Sequence, residues 1–412
     1  MTKPKERSNE RIEAEVTYAA RQKVTSLYIH VPFCDAKCHY CDFYSLASAT
    51  SETVMAWFQG LRLELERLAG ESSQHGLELA PLETVYFGGG TPSSISAGLI
   101  ADLVGHSRSL FGLAPDCQIT LEANPECIDS PDKAEALHIW RQAGVNRLSL
   151  GLQTSSDDLL RTLGRRHSAQ AAAYAVQAAW EAGFRHLALD LMTGLPDQTM
   201  DHVAQSLDFI RGLPIDHLSA YALTLAEETP FYALKKRQPQ RFPDDDLERD
   251  MTDLIKEVLT SRGFEHYEIS NFAKPGAQSH HNRVYWLADS YLAAGPAAAS
   301  YMAGVRRCNP PSLAAWLDQV KDLDQGPFGQ LTIEEYVDEK AARLETMILG
   351  LRLLEGVSRQ RFIDRHGLDF GLLFGAVLSN LEEGGRIIRD ERGVRLSPQG
   401  LDFADAVARA FL

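Results

Sequence analysis

Two kinds of hydrophobic pattern alternate along the first half of the chain. Short runs rich in β-branched and aromatic residues predict six strands, at residues 27–31, 84–87, 118–122, 147–150, 186–191 and 217–223. Between them, apolar residues recur at i, i+3 and i+4 and predict helices at residues 54–68, 99–111, 133–143, 169–182 and 200–212. Six strand–helix units in series favour a parallel sheet with right-handed crossovers, and they are too few to close an eight-stranded barrel. We therefore expect an α/β fold with a curved, open partial (β/α)6 barrel of the TIM type.

The last part of the chain has a different pattern. Residues 344–355 and 362–381 predict amphipathic helices, residues 384–396 a β-hairpin, and residues 398–412 a final helix. Helices followed by a hairpin are typical of a winged-helix arrangement. The patterns together predict a mobile tail (1–25), the partial barrel (26–240), an extension of the barrel (241–330) and a winged-helix-like domain (331–412).

Glycines or polar residues follow the predicted strands at their carboxyl ends. The first strand runs into a loop with three cysteines, and the next four are followed by Gly88-Gly89-Gly90-Thr91, Glu122, Gln153 and Asp190. Ligands of parallel α/β sheets bind at this edge. The pattern therefore predicts one binding site to which every strand contributes.

Each of these residues also has an ordinary structural explanation. Three glycines after a strand are commonly a tight turn, and Glu122, Gln153 and Asp190 are residue types common at strand ends. Arg165, in the segment Gly164-Arg165-Arg166-His167, could be a solvated loop charge or a donor to a ligand's carboxylate. As a set they would provide acceptors for hydroxyl and ammonium groups, with backbone N–H groups and a guanidinium for a carboxylate.

The loop after the first strand carries Cys34, Cys38 and Cys41 in C-x3-C-x2-C spacing. Aromatic residues flank them at Phe33, Tyr40 and Phe43. The alternatives are buried thiols or half of a zinc site, but no second C-x2-C or C-x2-H pair follows in the sequence. Three thiolates hold three corners of a cubane cluster and leave one iron open. The spacing therefore predicts an iron–sulfur cluster.

Charge and composition narrow the classes of partner and location. Asp and Glu number 56 against 41 Lys and Arg, a formal charge of −15, which repels phosphate backbones, so we expect no nucleic-acid partner. Six cysteines in 412 residues, three of them clustered, do not make a disulfide scaffold. No run of about 18 apolar residues exists to span a membrane, and the first 25 residues lack a signal-like apolar core. These features predict a cytoplasmic protein without an integral membrane segment.

Five segments resemble one known family. They read Tyr-Ile-His-Val-Pro-Phe-Cys, Gly-Gly-Gly-Thr-Pro-Ser, Leu-Glu-Ala-Asn-Pro-Glu, Arg-Leu-Ser-Leu-Gly-Leu-Gln and Leu-Asp-Leu-Met-Thr-Gly-Leu-Pro-Asp-Gln. From about residue 27 onward the chain resembles the oxygen-independent coproporphyrinogen III dehydrogenase-like family of radical S-adenosylmethionine proteins. The resemblance implies a [4Fe-4S] cluster on Cys34, Cys38 and Cys41. It also implies that S-adenosylmethionine is contacted by Tyr28, Tyr40, Gly89, Gly90, Thr91, Glu122, Gln153, Arg165 and Asp190.

Two branches of this family differ in a few positions. The dehydrogenase has a fourth cysteine two residues after the third, where this chain has Phe43, and it has a longer N-terminal region. The heme-chaperone branch has Cys-Asp-Phe and a His-Asn-x-x-Tyr-Trp segment, and this chain has both, the second at residues 281–286. The chain therefore resembles the heme chaperones. The alternative is the dehydrogenase, which decarboxylates porphyrinogen propionates by radical chemistry.

The heme-chaperone resemblance implies further cofactors and partners. It implies heme, an acceptor protein that receives the heme, and a reductant protein for the cluster. His281 is the predicted heme ligand, with His280 as the neighbouring competitor and a hydrogen-bonded structural histidine as the alternative. One departure stands out, because Ala299 occupies a position where relatives have a histidine.

Overall fold

The computed structural model describes residues 23–72, 79–302, 304–322 and 333–412. The predicted tail, residues 1–25, lies outside these ranges except for its last three residues, and the first strand already begins at Val24.

A nine-stranded sheet forms the centre of the molecule. Six strands are parallel and adjacent, in the order β1 (Val24–Val31), β4 (Leu79–Gly89), β5 (Leu113–Ala123), β6 (Arg147–Gln153), β7 (His186–Thr193) and β8 (His217–Ala222). Two short strands, β2 (Phe33–Cys34) and β3 (Leu46–Ala47), pair with each other outside this sheet. The six predicted strands are confirmed, and most extend further than predicted.

Later segments extend both edges of the six-stranded core. On one side β11 (Leu292–Ala294) pairs in parallel with β1. On the other side the antiparallel pair β9 (Glu265–Glu268) and β10 (Asn271–Ala273) adds to β8. The strand order ends at β11 and at β9, which are not paired with each other, so the sheet is open. The predicted partial barrel is confirmed, although the sequence patterns did not reveal these short edge strands.

Helices connect the strands and cover one face of the sheet. In chain order they are α1 (Ser51–Ser72), α2 (Ala97–Phe111), α3 (Pro131–Ala143), α4 (Asp157–Leu163), α5 (Ala169–Glu181), α6 (Met200–Phe209), α7 (Pro230–Arg237), α8 (Asp245–Ser261) and α9 (His280–Trp286). Short 3-10 turns lie at Pro92–Ser94, Pro125–Cys127, Ile210–Gly212 and Pro239–Arg241. The Ser156 and Ser168 side chains cap α4 and α5 by accepting hydrogen bonds from backbone N–H groups. The five predicted helices are confirmed within a few residues, and α4, α7, α8 and α9 are additional.

The two faces of the sheet have opposite chemistry. Side chains alternate across a strand, and in β6 the residues Leu148, Leu150 and Leu152 are fully buried in the core beneath the helices. The alternate residues of β6 face the inner cavity: Arg147, Ser149, Gly151 and Gln153. The outer face therefore stabilises the fold, and the inner face is free to carry polar chemistry.

The C-terminal part forms smaller units beside the sheet. One antiparallel sheet contains β12 (Ala299–Met302), β13 (Val305–Cys308) and β14 (Ile333–Tyr336), and a second contains β15 (Val357–Ser358), β17 (Gly393–Leu396) and β16 (Ile387–Arg389). The helices are α10 (Leu313–Lys321), α11 (Glu339–Gly350), α12 (Arg359–His366), α13 (Phe370–Glu383), α14 (Pro398–Leu401) and α15 (Ala404–Arg409). The hairpin predicted at residues 384–396 is confirmed as β16 and β17. The domain boundaries remain predictions.

Three helix predictions in this part were wrong in detail. The single helix expected at residues 362–381 is two helices, because Gly367 adopts a left-handed conformation that ends α12 and the Asp369 side chain caps α13. The helix expected at residues 344–355 begins earlier and ends at Gly350. The final helix is divided into α14 and α15 around Phe403.

Candidate cofactor site at the carboxyl ends of the strands

The cysteine loop is anchored at its two ends and at its centre. Its ends pair as β2 and β3, which brings Phe33 beside Leu46 and Cys34 beside Ala47. At its centre, His39 donates its backbone N–H to Leu163 O at 3.0 Å. These contacts direct Cys34, Cys38 and Cys41 toward one cavity of about 400 Å³. Burial raises the pKa values of the Cys34 and Cys41 thiols.

The three aromatic residues of the loop have different surroundings. Phe33 is buried against Trp57, with ring centroids 5.4 Å apart. Tyr40 lies near Phe231 and lines the cavity. Phe43, in the position of the dehydrogenase's fourth cysteine, also lines the cavity but is 64% exposed.

The glycine turn packs directly against the start of the cysteine loop. Gly90 and Thr91 donate backbone N–H groups to Val31 O and Phe33 O at 2.9 and 2.6 Å. Gly89 has a φ of +108°, and a Cβ there would collide with the His30 ring. A Cβ on Gly90 would lie 2.7 Å from Phe33 O. The turn therefore requires glycine, and Thr91 donates its hydroxyl to Cys34 Sγ at 3.4 Å.

Two carboxyl groups face the same cavity from neighbouring parts of the sheet. Glu122 accepts a hydrogen bond from Tyr86 Oη at 2.7 Å, and burial raises its pKa to about 7. Burial also raises the pKa of Asp190, whose carboxylate lies 3.5 Å from Ser149 Oγ. Neither acid has an ion-pair partner within the described residues, so both can accept hydrogen bonds from a ligand.

Arg165 and Gln153 complete the polar lining at the strand ends. Arg165 donates to Asn124 Oδ1 at 2.9 Å and to Gly151 O at 3.3 Å, while its Nε has no hydrogen-bond partner in the described part of the chain. Gln153 has a positive φ of 68° and accepts from Tyr221 Oη at 3.1 Å. Of the two explanations for Arg165, the structure favours a directed donor, because its guanidinium lines the cavity.

Two predicted residues lie elsewhere. Tyr28 is not among the residues that line the cavity, but its ring stacks on that of Tyr86, which does line it. His281 is 1% exposed, and both of its ring nitrogens have partners, Nδ1 with Thr84 Oγ1 at 2.8 Å and Nε2 with Tyr285 Oη at 2.9 Å. Burial lowers the pKa of His281 to about 3, so the imidazole is neutral. To bind iron it would have to release one of these partners.

The floor of the cavity, formed by Arg147, His217, Asn271 and Asn282, was not predicted from the sequence. Arg147 and His217 stand at the beginnings of β6 and β8, yet both line the same cavity as the cysteines. Asn271 and Asn282, from β10 and α9, line it too. The signal was available in β6 and β8, because residues two apart along a strand share a face with the strand-end residues.

A second cavity of about 630 Å³ lies between α9 and the C-terminal units. Trp286 and Phe362 provide apolar surface, and four arginines border it: Arg283, Arg361, Arg392 and Arg395. The Arg352 guanidinium lies 4.4 Å from the Trp286 ring centroid. We call this space the C-terminal cavity.

The donor set around the first cavity fits a cluster and S-adenosylmethionine. Three thiols face one space, and the Glu122 and Asp190 carboxyl groups offer acceptors. Arg165 offers an Nε donor that has no partner in the part of the chain that the structure describes. The volume of about 400 Å³ lies in the range of small-ligand sites.

Comparison with known proteins agrees with this geometry. A sequence model of the Radical SAM superfamily matches residues 28–210, and one of the HemN C-terminal domain matches residues 337–403. Among solved structures, coproporphyrinogen III oxidase (HemN) from Escherichia coli has the same fold, with a TM-score of 0.79 and 22% identity over 98% of this chain and 93% of that one. Fold and site together define a protein of the radical SAM class.

Curated relatives identify the family within that class. Heme chaperone HemW from Bacillus subtilis is 35% identical over 94% of this chain and 99% of its own length. The mitochondrial radical S-adenosyl methionine domain-containing protein 1 of Bos taurus is 31% identical over 94% of this chain and 87% of its own. The chain belongs to the HemW family.

Proposed function

We propose that this protein is a heme chaperone that binds heme and delivers it to an acceptor protein, and that it carries a [4Fe-4S] cluster and S-adenosylmethionine. The observation that carries the proposal is the 35% identity to a HemW heme chaperone over 94% of the chain, joined to the cavity that three cysteines share with Glu122, Arg165 and Asp190.

In this proposal Cys34, Cys38 and Cys41 hold the cluster. The described residues contain no group of three His, Cys, Asp or Glu side chains arranged around a single metal ion. A cubane does not need one, because each thiolate binds a different iron. The bound cluster would supply an electron to S-adenosylmethionine. We assign Arg165 to the ligand's carboxylate, Glu122 and Asp190 to its hydroxyl or ammonium groups, and Gly89 and Gly90 to close backbone packing around it.

The heme-binding element in this proposal is α9. Its His-Asn-x-x-Tyr-Trp residues divide between two sides of the helix, because residues four apart share a face. His281 and Tyr285 bond to each other near the sheet, whereas Trp286 faces the C-terminal cavity. An aromatic ring with bordering arginines suits a flat macrocycle with carboxylate arms. His281 as axial ligand stays a prediction that requires the imidazole to leave Tyr285 or Thr84.

Other parts of the proposal depend on the relatives. No helix in the described ranges is long and apolar enough to cross a membrane. We propose a cytoplasmic location, a reductant protein for the cluster and a separate protein that accepts heme.

A hemin titration tests the proposal. Anaerobically reconstituted full-length protein should shift the Soret band on titration with hemin. Replacing Trp286 with alanine should weaken binding, because it removes the aromatic surface, and His281→Ala should change the position of the Soret band if the imidazole ligates iron. His280→Ala is the matched control, since His280 is the exposed neighbour and should leave the spectrum unchanged.

Two results would contradict the proposal. One is the absence of any Soret shift with the wild-type protein. The other is formation of protoporphyrinogen from coproporphyrinogen with reductant and S-adenosylmethionine, which would favour the dehydrogenase. We expect no such product, since Phe43 stands where the dehydrogenase has a cysteine.

A further inference from the structure

The floor of the first cavity contains a buried arginine without a partner. Arg147 is 2% exposed and borders the cavity, its Nε has no hydrogen-bond partner, and its side chain forms no ion pair within the described part of the chain. Its charge acts on the nearby Glu122 and Asp190 carboxyl groups, which it does not contact. Buried guanidinium groups are ordinarily paired, because removing the charge from water is costly. An unpaired one that faces a cavity indicates an anion that occupies the cavity in the working protein.

A second donor stands beside it. His217 is 1% exposed, and its Nε2 lies 3.0 Å from Tyr267 Oη. Tyr267 Oη accepts from the backbone N–H of Ser279 at 3.3 Å, and within the described residues His217 Nε2 is the one acceptor in reach of its hydroxyl proton, so we assign Tyr267 as the donor. The neutral imidazole then carries its proton on Nδ1, which has no partner among the described residues.

These donors lie well away from the cysteine loop. Four residues of strand separate Arg147 from Gly151 at the carboxyl end, a distance of about 13 Å at about 3.3 Å per residue. Glu122, which is assigned to S-adenosylmethionine, pairs with Ser149, two residues from Arg147. The floor therefore adjoins the strand-end site and extends it toward the amino ends of the strands. The floor also holds Asn271 Oδ1, an acceptor that has no partner in the described ranges and suits a water or a donor group next to the anion.

We propose that Arg147 and His217 form a subsite for a single carboxylate of a ligand that reaches the floor of the cavity. One guanidinium balances one carboxylate. A dianionic phosphate is a poorer match, because Glu122 and Asp190 already bring acidic groups to the same cavity. The subsite does not depend on heme binding; only its assignment to a porphyrin propionate rests on the proposed function.

The test uses propionate as the probe and full-length, cluster-reconstituted protein. S-adenosylmethionine is left out, because its own carboxylate could compete with the probe. Binding is followed by NMR line broadening of carboxyl-labelled propionate. Arg147→Gln should weaken binding about tenfold or more, as expected for loss of a charge-assisted hydrogen bond, and Arg147→Lys should recover part of it. Arg211→Gln, at an exposed arginine paired with Asp208, is the matched control and should bind as wild type does.

The probe itself provides a check that needs no variant. Propionamide has a similar size and no charge, so the wild-type protein should bind it about tenfold less tightly than propionate, and phosphate should also bind less tightly. Equal binding of propionate and propionamide, or equal binding of propionate by wild type and Arg147→Gln, would overturn the subsite.

A second arm identifies the source of the carboxylate. Wild type should prefer hemin over hemin dimethyl ester, and Arg147→Gln should lose that preference if the subsite receives a porphyrin propionate. A preference that survives in the variant assigns the subsite to another carboxylate ligand. Failure of hemin to bind at all would contradict the proposed function and leave the propionate result standing.

Discussion

Two glutamates in this protein have the same raised pKa and opposite surroundings. Burial raises the pKa of Glu64 and of Glu122 to about 7 in each case. Glu64 lies in a closed junction, where it accepts hydrogen bonds from Gly295 N at 2.7 Å, Asn309 Nδ2 at 2.6 Å and Trp316 Nε1 at 3.0 Å. Glu122 accepts from the Tyr86 hydroxyl and from the backbone N–H of Gly89, and it otherwise faces the cavity.

The difference shows how to separate a structural acid from a functional one. A raised pKa alone marks both carboxyl groups, because desolvation acts in the same way on each. The protein closes Glu64 in with donors from α10 and from the loops after β11 and β13, whereas Glu122 keeps part of its acceptor capacity toward the cavity. Unused hydrogen-bonding capacity beside a cavity therefore indicates function better than the pKa does.

The largest effect should come from Glu64→Ala. It leaves three buried donors unpaired and opens a small cavity between α1 and α10, so the free energy of unfolding should fall by about 3–5 kcal/mol. Urea denaturation monitored by circular dichroism measures this. Glu122→Ala is the matched control and should cost less than half as much, since water in the cavity can reach Tyr86. Equal losses would remove the distinction between the two sites.

The pH dependence of stability gives an independent test on Glu64. In the folded state its pKa is about 7, against about 4.5 when unfolded, so the folded state binds the proton more tightly. Its contribution to stability is present below about pH 4.5 and is lost as the pH rises to about 7, by an amount on the order of 3 kcal/mol. Glu64→Gln cannot titrate and should remove this part of the profile. An unchanged profile would show that Glu64 does not titrate in this range.

The next effect should be on ligand affinity at Glu122. Glu122→Gln keeps the shape and the hydrogen bond from Tyr86 but removes the negative charge, so S-adenosylmethionine should bind about tenfold less tightly at pH 8. In wild type the affinity should rise with pH through about 7 as the carboxyl group ionises, and the variant should be flat. Isothermal titration over pH 6–8 measures both. Glu64→Gln should retain the wild-type profile of affinity.

Contiguous motifs account for what could be predicted at the site. The cysteine loop and the glycine turn are short segments whose residue types reveal their chemistry, and Glu122 and Asp190 stand at strand ends, where ligands bind. Arg147 and His217 stand at the first residues of their strands, away from the edge where ligands are expected, so attention to the strand ends alone missed them. The alternation of β6 and β8 does place them on the cavity face. Glu64 could not be found at all, because its partners lie 231, 245 and 252 residues along the chain.

The fold also has a part that the sequence pattern predicts and a part that it does not. The long strands and helices of the first half repeat with clear periods, whereas β9, β10 and β11 have three or four residues, too few to show a period. His281 illustrates the remaining limit. Its residue type predicts a possible ligand, but its bond to Thr84, 197 residues away, exists only in the folded chain.

The smallest effect should come from Tyr86→Phe, which removes the side-chain donor of Glu122 and so widens its difference from Glu64. The Tyr86 hydroxyl stabilises the ionised carboxylate and holds the pKa of Glu122 below the value that burial alone would give. Without it the pKa rises, so the pH at which S-adenosylmethionine affinity increases should move upward from about 7 while affinity at high pH changes little. Stability should change by about 1 kcal/mol or less, because the carboxyl group can bond to cavity water instead. A profile that stays in place, measured by the same titration, would mean that solvent rather than Tyr86 sets the ionisation of Glu122.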